Sequence, residues 1–144
     1  MTYQTIQNLR SVWTRKKEYN KLMSLLDYPE SRSVALETLV HQTMRSGDES
    51  LQIEAIAALA TQVDLPRAIL DKITALVYRE SNLEVRIAAI ELLSWYNSHV
   101  YIAFHILKDM LHEGFSYDDH YMLLWLYKKM KTQYFSDQRE LALS

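Results

Sequence analysis

The placement of glycine and proline constrains this chain more than any other feature. It holds only two of each in 144 residues. Pro29 follows Asp27-Tyr28 and Pro66 follows Asp64-Leu65. Both suit the opening of a helix, where the missing N–H costs nothing. Gly47 stands just past Arg45, a cation suited to a helix C-terminus, and Gly114 closes a later helix in the same way. Asp48 is a candidate N-cap, Ser81-Asn82-Leu83-Glu84 has the capping-box spacing, and Ser116 to Asp119 resembles a second such signal. Breaks therefore fall near positions 47, 64, 81, 97 and 114, which are almost evenly spaced. Helix pairs then recur about every 34 residues, the mark of a repeat array. A β-rich fold would need more turn formers. The expected fold class is all-α, with about seven helices joined by short links.

The helices carry matching patterns. Asn82 to Tyr96 (NLEVRIAAIELLSWY) has ten apolar residues among the fourteen from Leu83 onward. Within it Val85, Ala89 and Leu93 fall at intervals of four, and Leu51, Ala55 and Leu59 repeat them one full period earlier. Ser31-Arg32, Ala35 and Leu39 echo the pattern again, at an offset shorter than the period. A small residue in the middle lets neighbouring helices approach, and a stack of such helices makes one continuous core. This stretch is expected to be the central rung, with Arg86, Ala89, Leu93 and Trp95 as structural residues. Glu84-Val85-Arg86 followed by Ala89 and Leu93 resembles the HEAT-repeat family, in particular its short PBS-lyase-like variants. The resemblance covers roughly positions 29–113 and is best at 82–96. It implies an α-solenoid, a right-handed stack of antiparallel helix pairs, and most often a surface that binds other macromolecules. It also implies that Arg86 ties neighbouring helices together. The family includes glycosylases and bilin lyases as well, so membership alone does not assign a function.

One domain is expected for this length. Residues 1–28 read as an N-terminal capping helix, 29–113 as the HEAT-like helices, 116–135 as a C-terminal helix and 136–144 as a frayed tail. With no cysteine, disulfides, thiolate metal sites and cysteine nucleophiles are excluded. The start Met-Thr-Tyr-Gln lacks the regions of a signal peptide. The longest apolar runs, Ala55–Ala60 and Met122–Tyr127, are far short of the roughly 20 residues of a spanning helix. A soluble, cytoplasmic protein with no membrane role is therefore expected. The net charge of −2 hides an uneven spread, +3 over residues 1–28, −4 over 29–97 and −1 over 98–144.

Four regions invite a functional reading. Arg10, Lys17 and Lys21 line the outer side of the first helix, and Trp13 lies beside them. Cations of this kind contact phosphates and an indole stacks a base, yet a solvated outer face explains them as well. His105, Asp109 and His112 share a helix face at metal-ligand spacing, without a third histidine or an HExxH pattern. A solvated polar face is the stronger reading, and no metal or other cofactor is expected. Asp118 and Asp119 precede His120, but two acids in a first helical turn complement its positive end without any catalysis. The last helix is the most suggestive. Leu123, Leu126, Tyr127, Met130 and Tyr134 form its docking stripe, while Tyr117, Tyr121, Leu124, Trp125 and Phe135, with Lys128 among them, form a second face. A terminal helix has a neighbour on one side only, so such a face is either covered by the first helix or open to a partner.

The sequence thus points to a non-catalytic protein–protein interaction module, an adaptor, inhibitor or assembly factor, that binds through its terminal helices. Its partner is expected to be another protein or a second copy of itself. Nucleic-acid binding through Arg10, Trp13, Lys17 and Lys21 is the alternative, and a HEAT-like glycosylase or lyase a further one. No residue qualifies as catalytic.

Overall fold

The computed structural model describes residue 17 and residues 19–44, 48–80 and 82–143, with backbone alone for 134–143. Among the described residues the chain is all-α. The described part of α1 covers 19–26, followed by α2 (Pro29–Met44), α3 (Glu49–Ala60) and α4 (Arg67–Arg79). Then come α5 (Leu83–Ser94), α6 (Val100–Met110) and α7 (Tyr117–Leu143). The helices start where the sequence supplies oxygen acceptors. Asp48 Oδ1 accepts from Leu51 N at 3.0 Å, and Asn82 Oδ1 accepts from Val85 N at 3.0 Å. Each satisfies one of the free N–H groups of a first turn. The cap of α5 is thus Asn82, and Ser81, where the capping-box spacing begins, lies outside the described residues. Pro66 caps α4 through its position alone, with no side-chain bond. Further along the chain α6 stops at Met110, short of Gly114. Tight bonds from His112 N to Asp109 O and from Glu113 N to Met110 O close its last turn. A Cβ added at Gly114 would meet nothing within 4 Å, so sterics do not demand glycine there.

The packing is sequential. Helices pair as α2 with α3, α4 with α5 and α6 with α7; between pairs α3 lies on α5 and α2 on α4. α5 touches α3, α4 and α6, which makes it the most enclosed helix of the stack. One buried cluster runs through all of this, from Leu26 to Met130. The period of the sequence reappears in it position by position. Ala35, Ile69 and Ala103 are buried at equivalent positions of α2, α4 and α6, as are Leu39, Ile73 and Leu107. In the second helices Ala55, Ala89 and Leu123 correspond, and so do Ala58, Leu92 and Leu126. Each buried Leu or Ile contributes roughly 1.5–3 kcal/mol relative to an exposed one. The irregular offset of the echo at Ala35 and Leu39 now has a cause. It compares a first helix with a second, whereas a full period separates like from like.

The same register organises polar ties. Arg86 Nε donates to Val77 O at 3.1 Å, joining the first turn of α5 to the last turns of α4. Its Nη1 also lies 3.8 Å from Glu113 Oε2. Gln52 stands one period earlier and makes the equivalent tie. Its Nε2 donates to Thr43 O at 3.0 Å, across α3 and α2, and to Glu80 Oε2 at 3.1 Å. Both donors reach nine residues back to a carbonyl that would otherwise be orphaned at a helix C-terminus. Gln52 is itself buried.

Two expectations are corrected. Trp95, placed with the structural core above, is 70% exposed. α5 ends at Ser94, and Trp95 is its C-cap, on the line of Glu84 and Glu91 that faces solvent. Ala89 and Leu93 of the same group are fully buried. The last helix is also longer than expected. α7 runs to Leu143, so residues 136–143 are helical rather than a frayed tail beyond a boundary at 135. No proline or glycine interrupts it, and Gln138 to Leu143 are nearly all strong helix formers.

Candidate functional site on the last helix

α7 is fixed to the stack by one side. Leu123, Leu126 and Met130, spaced three and four, are buried, and the ring of Tyr127 stacks on Phe104 of α6 at 5.0 Å and 21°. Helical spacing then forces positions 117, 121 and 125 onto another side. Tyr117 is 85% exposed, Tyr121 66% and Trp125 54%. Three aromatic rings one turn apart therefore line the outer surface, with Leu124 half-buried at their edge and Lys128 exposed beyond them. Ser116 Oγ accepts from Asp119 N at 3.4 Å, and Asp118 and Asp119 occupy the first turn. The face is thus acidic at its start and basic after Trp125, where Lys128, Lys129 and Lys131 are all exposed. Lys129 Nζ sits 5.2 Å from the centroid of the Trp125 ring, a cation–π contact. Sequence reasoning missed Lys129 and the exposed Met122. The i, i+4 spacing from Trp125 to Lys129 was the available signal. The side chains of Tyr134 and Phe135 lie outside the described residues.

The remaining candidates are not brought into this site. Lys17 and Lys21 are exposed on α1, while Arg10 and Trp13 lie outside the described residues. His105, Asp109 and His112 are all exposed on the α6 segment and its closing turn. His105 packs edge-on against Tyr101, with ring centroids 4.3 Å apart. Among the described residues no group of three or more His, Asp or Glu side chains is arranged to hold a metal.

One polar cluster escaped the sequence reading. His99 is only 2% exposed, with Nε2 at 2.8 Å from Asp71 Oδ1 and Nδ1 at 2.6 Å from Ser98 Oγ. The ring thus bridges a carboxylate on one nitrogen and a hydroxyl, which can donate or accept, on the other. The cluster pins the α5–α6 turn to α4 across 28 residues of sequence. His99 lies one period after the buried Leu65, which is why a histidine goes inside here. A groove of about 600 Å³ opens between α2 and α4, floored by Leu26, Leu36 and Ile69. Its arginine is already engaged, since Arg32 Nη2 donates to Asp64 O at 2.8 Å and Nε to Gln62 Oε1 at 3.4 Å.

Among the described residues no helix is long and apolar enough to cross a membrane. The chain matches no curated protein and no solved structure. A family profile described as HEAT repeats matches residues 36–118, more than half of the chain, from the middle of α2 into the start of α7. With a regular register of paired helices under that match, the chain belongs to the HEAT-repeat family.

Proposed function

We propose that this protein is a non-catalytic interaction module, one helical-repeat domain that binds another protein through the outer face of α7. The observation that carries this reading is the line of Tyr117, Tyr121 and Trp125, exposed on a helix whose opposite side is anchored in the core. Aromatic side chains bring large contact area at low entropic cost and dominate the energetics of protein interfaces. Leu124 and Lys128 extend the patch, and the Lys129–Trp125 contact holds the indole in place before a partner arrives. HEAT repeats commonly serve as protein-interaction scaffolds, which agrees with a role as adaptor, inhibitor or assembly factor.

The test is a double substitution, Tyr121→Ala with Trp125→Ala. Both side chains are exposed, so circular dichroism and the unfolding midpoint should hardly change. Capture of the partner from native lysate should be lost, because anchors of this type carry about 2 kcal/mol or more each. Capture at wild-type level by a folded double variant would refute the reading. Repeating the capture with nuclease separates a protein partner from a nucleic acid.

A further inference from the structure

The sides of α3 and α5 that face solvent form a second surface, carried by the rungs that precede α7 in the same register. The two helices pack against each other, and their exposed positions share the register of the repeat. On α5, positions 84, 87, 91 and 95 fall on one line at spacings of three, four and four. Glu84 and Glu91 are exposed, Ile87 is half-buried and Trp95 is 70% exposed. On α3 the matching line brings Ile53, half-buried, beside Glu54, exposed. Its other members are Ser50, Ala57 and Thr61, all exposed and short enough to leave the isoleucines accessible. The charge on this surface has one sign. α3 contains no lysine, arginine or histidine. The one cation of α5, Arg86, is turned to Val77 O and Glu113 at the helix-pair contact.

We infer that this surface docks a basic amphipathic helix of a partner protein, with apolar side chains against Ile53, Ile87 and Trp95 and lysines or arginines opposite Glu54, Glu84 and Glu91. An apolar strip on two parallel rungs matches the i, i+3, i+4, i+7 stripe of such a helix. Flanking carboxylates choose its sign and speed its encounter, while the apolar strip sets the dissociation rate. An acidic partner or a phosphate backbone would instead meet like charge across the whole strip. The inference shares with the proposed function the reading of the chain as a binding module, but it does not depend on α7.

The experiment uses fluorescein-labelled Leu/Lys helices about 18 residues long, five turns and enough to cross both rungs. A Leu/Glu peptide with the same apolar face is the control. Binding is followed by anisotropy at low and moderate salt. The Leu/Lys peptide should bind the wild type at least about tenfold more tightly than the Leu/Glu peptide, with the gap narrowing as salt rises. Glu84→Lys with Glu91→Lys should invert that preference, and Trp95→Ala should weaken both peptides. Tyr121→Ala with Trp125→Ala should leave Leu/Lys affinity within about twofold, which separates this surface from the α7 face. Equal affinity for the two peptides, or a charge-reversed variant that binds like wild type, would overturn the inference. So would self-association by sizing that vanishes in the Glu84→Lys, Glu91→Lys variant, because a second copy would then be the occupant.

Discussion

α5 and α7 hold the same place in successive helix pairs, yet they end as scaffold and surface. Their buried positions correspond, Ala89 with Leu123, Leu92 with Leu126 and Tyr96 with Met130, although Tyr96 is only half-buried. Their neighbours differ. α5 is enclosed by α3, α4 and α6, while α7 rests mainly on α6. Ala89, fully buried, faces a stack in which Ala55 is its counterpart, and two alanines let α3 and α5 approach closely. α7 carries leucine at that position. On the outer line the replacements also run to larger side chains. Ile87 becomes Tyr121, Ala88 becomes Met122 and Glu91 becomes Trp125. One periodicity thus serves two purposes, and the number of neighbours decides which. In a stacked array an end helix lacks a further rung on one side, so several large side chains can gather there without disturbing a contact.

The largest expected effect tests the enclosed side of this comparison. Leu93 is fully buried in α5, so Leu93→Ala should cost about 2–5 kcal/mol in urea unfolding. Trp95 lies just beyond it in the chain and is mostly exposed, so Trp95→Ala should cost less than about 1 kcal/mol. If the tryptophan substitution cost as much as the leucine one, the outer face of α5 would be covered, and the contrast with the open face of α7 would extend to that side as well.

That pair of residues also marks how far the sequence could be read. The period and the helix starts were legible because capping residues, prolines and apolar spacing all act locally. Ala89 and Leu93 were legible for the same reason. Trp95 was not, because an apolar residue that continues a helical pattern looks like core until the helix stops one residue earlier. His99 was missed in the opposite sense. A histidine near a helix start reads as a local hydrogen-bonding or surface group, and only its contact with Asp71 from another helix reveals that it is inside. The aromatic line of α7 was read from spacing alone. Its cation–π partner Lys129 needed the side-chain position.

A second, smaller effect sharpens the repeat itself. If Gln52 and Arg86 are equivalent ties, removing the donor matters more than its identity. Gln52→Leu leaves Thr43 O without its partner in a buried setting and should cost about 1–3 kcal/mol. Gln52→Arg restores a donor of the type its counterpart uses, with Glu80 nearby to receive the charge, and should stay within about 1 kcal/mol of wild type. Thermal or urea unfolding of the two variants decides the matter. An arginine as damaging as leucine would mean that the two ties share a position but not a geometry.

The smallest effect lies at the pair Tyr96 and Met130. Tyr96 Oη donates to Gln62 O at 3.0 Å, a bond that spans a full period and links one repeat to the next. Met130 has no hydroxyl, so α7 makes no such link at that position. The Tyr96 phenol has its pKa raised, first by burial and then by the Asp64 charge, against opposing contributions from the Leu65 backbone and Arg32. The folded state therefore holds this proton more tightly than the unfolded chain does. As pH climbs through about 10 the unfolded chain loses it first, so the stability owed to this group is complete at lower pH and declines from there. Tyr96→Phe should lower stability by about 0.5–1.5 kcal/mol near neutrality, the ordinary net worth of one hydrogen bond. The gap between wild type and variant should narrow in urea titrations taken at rising alkaline pH. The other tyrosines are common to both proteins and cancel in that difference. A gap that stayed constant with pH would show that the hydroxyl is no better protected than a surface phenol. The link at Tyr96 would then rest on apolar contact, while Gln52–Glu80 and His99–Asp71 still join neighbouring repeats through polar groups.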